Sequence, residues 1–180
     1  MNVFDELSNM QKLIFNNNWG EFEKHYHSLC ESYSPDLAKQ IASGESQYLT
    51  DRIFGSYCKA LKKARKNNAK AIYYEYDLDN DWKTAFFVCP EYYPINEKND
   101  DWACHWLSDH IAPGIHDFGK IYAKLGGFCN SDENTAVTLY MIARTTSILN
   151  SIIQRKPPQN INICIGFHDQ DPIHRIYEYA

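Results

Sequence analysis

Residues 70–93 read KAIYYEYDLDNDWKTAFFVCPEYY, and the fold turns on how this stretch is read. Two runs rich in aromatic and β-branched residues, 71–77 and 84–89, flank a short polar segment, which is the pattern of a β-hairpin. Because side chains alternate along a strand, Ile72, Tyr74, Tyr76 and Leu78 fall on one face, and Ala71, Tyr73, Glu75 and Asp77 fall on the other. One face is apolar and the other carries acid. The connection adds Asp79 and Asp81 to Asp77, directly beside Trp82, and so predicts a negatively charged hairpin tip with an aromatic anchor.

The run DLDND at 77–81 opens like a calcium loop but does not continue as one. The sixth position, where the sharp turn needs Gly, is Trp82, and the twelfth, where a bidentate Glu belongs, is Val88. Two readings of the tip then stand. It is a solvated turn, whose Asp and Asn residues tolerate left-handed backbone and bond their own main chain, or it is an acidic surface that meets a basic partner.

The acid continues past the hairpin. Between residues 75 and 101 lie Glu75, Asp77, Asp79, Asp81, Glu91, Glu97, Asp100 and Asp101 against Lys83 and Lys98 only, a local balance of −6 in a chain whose net charge is −5. That segment accounts for the whole excess, and the net acidity argues against a general nucleic-acid binder. Trp82, Tyr92, Tyr93 and Trp102 are interleaved with these acids. Aromatic side chains of this kind supply the desolvated centre of an interface.

At 180 residues the chain is expected to form a single globular domain, 1–180, that buries roughly 70% of the surface of its unfolded form. It is 44% hydrophobic and 23% charged, with thirteen Tyr, a composition of a globular protein with a surplus of half-polar aromatics. The six cysteines show no CxxC spacing and sit mostly in apolar contexts, so they read as reduced and buried. The N-terminus has no basic segment followed by an apolar run, and no apolar stretch of 18 residues occurs, which places the chain in the cytoplasm.

Apolar spacing predicts helices over 2–16, after Trp19, briefly over 36–46, and over 47–68, the last ending in the basic run KKARKNNAK. Those cations either complement the helix dipole or form a phosphate patch. Residues 102–109 and 115–125 read as short helices, and Ser131-Asp132-Glu133 opens a long core helix carrying Val137, Tyr140, Met141, Ile148, Leu149, Ile152 and Ile153. Residues 160–168 alternate as a half-buried strand with Ile161, Ile163 and Ile165 inward, and 173–179 returns as its hairpin partner. The expected fold is α+β, an antiparallel sheet built from two hairpins with helices packed on one face.

Catalytic patterns are thin. Cys104, His105, His110, His116 and Cys129 suggest a metal site, yet five- and six-residue gaps between the histidines do not bring ligands together on a helix, and no cofactor is expected. No GxSxG, GxGxxG or GxxxxGK[ST] occurs. Glu75 with Asp77 on one strand face would be the acid–base pair of a small metal- or carboxylate-dependent hydrolase, the alternative function.

Tyr73-Tyr74-Glu75-Tyr76-Asp77, Asn80-Asp81-Trp82 and Phe86-Phe87-Val88-Cys89 give an aromatic and acidic strand, an acidic turn ending in Trp and an FFxC strand. In this the chain resembles small bacterial immunity proteins of contact-dependent growth inhibition and other polymorphic toxin systems. The resemblance covers about 25 residues and implies a cytoplasmic inhibitor without catalytic residues, whose partner is a cognate protein toxin domain, with neither nucleic acid nor membrane bound. Many such toxins are nucleases and therefore basic, so an acidic surface would steer the encounter. The expected contact residues are Glu75, Asp77, Asp79, Asp81, Trp82, Glu91, Tyr92, Tyr93, Asp100, Asp101 and Trp102.

Overall fold

In the computed structural model, which describes residues 1–44, 47–128 and 131–179, the alternation of 70–93 produces the expected hairpin. Strands β1 (Ala71–Asp77) and β2 (Lys83–Cys89) pair antiparallel, with Tyr74 opposite Phe86 and Glu75 opposite Ala85. Three more strands complete the sheet: β3 (Ser108–Ala112), β4 (Asn162–Phe167) and β5 (His174–Tyr177), in the order β3-β2-β1-β4-β5.

The sheet is mixed, which corrects the expectation of two antiparallel hairpins side by side. β4 and β5 do form the second hairpin, but β4 lies parallel to β1, Tyr74 beside Ile165. A parallel neighbour requires a crossover of a dozen residues or more, and helix α6 (Asp132–Arg155), 24 residues long, returns the chain to the end of the sheet where β1 starts. β3 is the second correction, since a helix was expected over 102–109. Its residues alternate half-buried and exposed on an edge strand, so no apolar run marks it.

Among the described residues six α-helices feed one core: α1 (Val3–Phe15), α2 (Trp19–Tyr33), α3 (Pro35–Ser43), α4 (Gln47–Lys66), α5 (His116–Leu125) and α6. It lies against the sheet face that carries Ile72, Tyr74, Tyr76, Phe86, Ile163 and Ile165. Asn2, Asn18 and Ser131 accept main-chain N–H groups at the starts of α1, α2 and α6, which satisfies donors that a helix cannot pair internally. Against the expectation that no apolar stretch of 18 residues occurs, α6 has the length and composition of a membrane-crossing helix, and 78% of that stretch is buried inside the fold.

The opposite face of the sheet is only partly covered. The segment between β2 and β3, with 3₁₀ turns at Ile95–Glu97 and Asp101–Cys104, folds over one end of it, so that Trp102 and Ala103 join Ala71, Tyr73, Cys89, Cys164 and Ile173 in a second, smaller cluster. Arg175 is enclosed there and pairs with Asp100 at 2.5 Å, while its guanidinium also donates to the carbonyls of Ile173 and Tyr93. Cys30, Cys89 and Cys164 are free and buried, whereas Cys58 is half-buried and Cys104 exposed. Burial pushes the Cys30 and Cys89 thiols up to about 12.

Candidate functional site

Where the covering segment ends, the outer sheet face opens into a groove of about 980 Å³. Tyr73, Glu75 and Phe87 form its floor, Asp101 and Trp106 line it from the covering segment, and His168, Asp169 and Asp171 line it from the β4–β5 connection. Strand register places Glu75 in a row with Ala85, Ile111 and Gly166 across four strands. Gly166 leaves room for Tyr73: a Cβ there would sit 3.1 Å from the Tyr73 hydroxyl. Trp106, 50% exposed, packs edge-on against Phe87 with ring centroids 4.9 Å apart.

His168 Nδ1 lies 3.4 Å from Glu75 Oε1, and its Nε2 lies 3.8 Å from Asp169. Burial alone would pull the imidazole down, but the carboxylates of Glu75, Asp169 and Asp77 outweigh it and hold the ring above its ordinary value. Glu75 is itself lifted, because desolvation on the groove floor raises it by more than His168 lowers it. Tyr73 is raised by burial first and then by the Glu75 carboxylate. The groove therefore carries an excess of acid against His168 and Lys98, with aromatic rings on its floor and wall.

The hairpin tip is built differently. Lys83 N donates to the Asn80 carbonyl at 3.2 Å across Asp81 and Trp82, whose φ angles are 58° and 51°. Two consecutive left-handed residues make a type I′ turn, which matches the twist of a hairpin and normally takes Asn-Gly. A Trp in that conformation costs on the order of 1–3 kcal/mol. The cost is met by enclosure. Trp82 is fully buried, its ring stacks on Tyr76 at 5.4 Å and meets Phe118 and Tyr122 edge-on, and its indole N–H donates to Thr145 at 3.0 Å. The turn also touches α5 and the residues just before it so closely that a Cβ on Gly119 would lie 2.6 Å from Asp81 Oδ1, and one on Gly114 would lie 2.9 Å from the Trp82 carbonyl. Asp81 bonds His116 at 2.5 Å.

The eleven expected contact residues are thus divided. Glu75 and Asp101 line the groove, as does Asp100, although Asp100 is engaged by Arg175. Asp77 accepts from Asp79 N within the turn, and Asp79 and Asp81 flank a separate hollow beside α5. The expectation of Trp82 and Trp102 as aromatic contact residues is corrected, since both are buried: Trp82 faces the helices, and Trp102 turns from the covering segment into the second cluster. Tyr92 packs against Trp102 at 5.4 Å with its hydroxyl on Glu178, Tyr93 offers its carbonyl to Arg175, and Glu91 is exposed. Trp106, His168, Asp169 and Asp171 were not anticipated. The cluster of charge in HDQD at 168–171, between two strands, was the available signal.

Among the described residues no group of three His, Cys, Asp or Glu side chains is placed to hold a metal ion. His110 sits on β3 and His116 opens α5, while Cys129 lies outside the described residues. No protein-family model matches the chain, and no curated protein and no solved structure matches it.

Proposed function

We propose that this chain is an immunity protein, a cytoplasmic inhibitor that binds and neutralises a basic, nuclease-type toxin domain through the outer groove. The observation that carries the reading is the combination in one open concavity of Glu75, Asp101, Asp169 and Asp171 with the exposed ring of Trp106 and the face of Phe87. Acid steers a basic partner and fixes its orientation, and a central aromatic supplies the burial that holds it. The enclosed hairpin tip contributes shape and support, so the contact surface is narrower than the whole acidic segment.

The groove also brings a histidine beside a carboxylate, which is the arrangement that favours the alternative, a carboxylate-dependent hydrolase. In that reading Glu75 orients His168 and no cofactor is used. The two readings part in one experiment. The domain encoded by the reading frame next to this gene is expressed in a bacterial host with and without this chain, and with the Trp106→Ala variant. Rescue of growth by the wild-type chain, lost with Trp106→Ala and retained with His168→Gln, supports inhibition by binding. Absence of rescue and of a stable complex rejects it.

A further inference from the structure

Helix α4 carries an unbroken stripe of exposed residues at Tyr48, Arg52, Gly55, Lys59, Lys62 and Lys66, with Lys63 beside it. The steps are four, three, four, three and four residues, so all of them share one helix face. The opposite face of α4 enters the core through Ile53, Tyr57, Ala60, Leu61 and Ala64. At 1.5 Å per residue the stripe is about 27 Å long. Two hollows of about 440 and 460 Å³ lie along it and share Lys59; the first is walled by β3, and the second is completed by Arg65 and by Lys156 from the end of α6.

Among the described residues, Lys59, Lys62, Lys63 and Lys66 form no ion pair. The one acid within α4, Asp51, is taken by Arg155 at 2.9 Å. Complementing the helix dipole explains cations in the last turn only, namely Lys63, Arg65 and Lys66. It does not explain Lys59 or Arg52, which stand two and more turns upstream.

We propose that this stripe binds the phosphate backbone of a single-stranded nucleic acid. Protein interfaces are depleted in Lys, whereas the side chains of the stripe itself are Lys, Arg and Tyr, with no aliphatic residue among them. It offers a row of unneutralised ammonium groups one helical turn apart. At its head is an aromatic ring: Tyr48 is 70% exposed, with the Arg52 guanidinium 5.6 Å from the ring centroid. A cationic track with a stacking platform is the general form of a sequence-tolerant single-strand site. Gly55, with open space above it, lets a backbone approach midway. The net charge of −5 does not oppose this, because the groove acids lie on the far side of the sheet from α4. The inference stands independently of the inhibitor reading.

The test is fluorescence anisotropy of a labelled short oligothymidylate titrated with the full chain. Four phosphate contacts on a single strand predict that a fourfold rise in salt lowers affinity about 50-fold. Replacing Lys59, Lys62, Lys63 and Lys66 with Gln abolishes binding with the circular dichroism spectrum unchanged, and Tyr48→Ala weakens it about tenfold at an unchanged salt slope. Lys120→Gln, on the paired α5 surface, leaves it alone. No binding at low salt, or binding indifferent to the four Gln substitutions, overturns the proposal. So does competition by polyglutamate as effective as by unlabelled oligonucleotide with Tyr48→Ala silent, which would assign the stripe to an acidic protein.

Discussion

At the hairpin tip Trp82 stands next to Asp81 and is fully enclosed; at the groove Trp106 shares a cavity with Asp101 and is half exposed. Both pairs come from the acidic, aromatic segment and the few residues that follow it. The difference lies in what meets them. The tip lies between α5 and α6, whose Phe118, Tyr122 and Thr145 consume the indole, whereas the groove beside Asp101 and Trp106 is left open by the described residues. Composition reports that a segment is sticky and charged; only the elements opposite it decide whether the stickiness is spent on folding or left for a partner.

The largest effect is expected where the contrast is sharpest. Trp82→Ala removes a large enclosed ring and leaves the Thr145 hydroxyl without its indole donor, and it should destabilise by about 3–5 kcal/mol. Trp106→Ala should cost under about 1 kcal/mol. Urea denaturation of the two variants measures both, and equal losses would erase the distinction between tip and groove. Gly119→Ala should resemble Trp82→Ala, because its Cβ would meet the Asp81 main chain at 2.7 Å.

The covered end of the outer face gives the next test. Asp100→Ala would leave the Arg175 guanidinium, 1% exposed, without its carboxylate, and removing one member of a buried pair costs about 3–5 kcal/mol. Asp101→Ala, one residue away and exposed at the groove, should be close to neutral. Burial also acts on the neighbouring His174, whose Nε2 donates to the Leu7 carbonyl at 3.0 Å and whose value is pushed down to about 4. The unfolded chain takes up this proton near pH 6.5 and the folded chain does not. The contribution of His174 is therefore intact above pH 6.5 and is lost as pH falls toward 4, by about 3 kcal/mol. Denaturation midpoints across that range, compared with His174→Gln, isolate the slope.

Strict alternation made β1, β2 and β4 legible in the sequence, and the apolar stripes did the same for α4 and α6. Ile163 and Ile165 are buried in the core that α6 also enters. Two kinds of information were missing. Register between distant strands depends on the path of α6, which no local pattern encodes, so the parallel β1–β4 pairing was not visible. Side-chain destination was the other: Asn162 is counted among the outward residues by alternation, yet it is buried, donates to the Lys70 carbonyl and accepts from Tyr179 N. Its loss to Ala should cost about 1–3 kcal/mol. One wall of the groove comes from 168–171, some seventy residues beyond the acidic segment, and only the fold joins them.

Groove charge should affect association more than stability. Replacing Glu75, Asp101 and Asp169 with Lys is expected to lower the on-rate for a basic toxin domain about tenfold or more and to flatten its dependence on salt. The same change at Asp79 and Asp81 should alter the on-rate less, because those acids flank the α5 hollow, apart from the groove. Stopped-flow association at two ionic strengths compares the two sets. Equal effects would return the interface to the whole acidic segment.

The smallest effect is carried by His168. Glu75, Asp169 and Asp77 hold its ring above the ordinary value, so the folded chain keeps the proton longer than the unfolded chain does. The resulting stabilisation is fully present below the unfolded value and is lost as pH rises through the folded one. The ring is 59% exposed, so this loss should be slight. Binding should move the other way: loss of the proton removes a positive charge from among the groove acids, and the on-rate for a basic partner should rise as stability falls. His168→Gln should flatten both profiles near neutral pH, whereas His116→Gln, at the tip with Asp81, should leave the on-rate profile unchanged. A wild-type on-rate that does not change across the titration of His168 would mean that the partner does not approach through the groove.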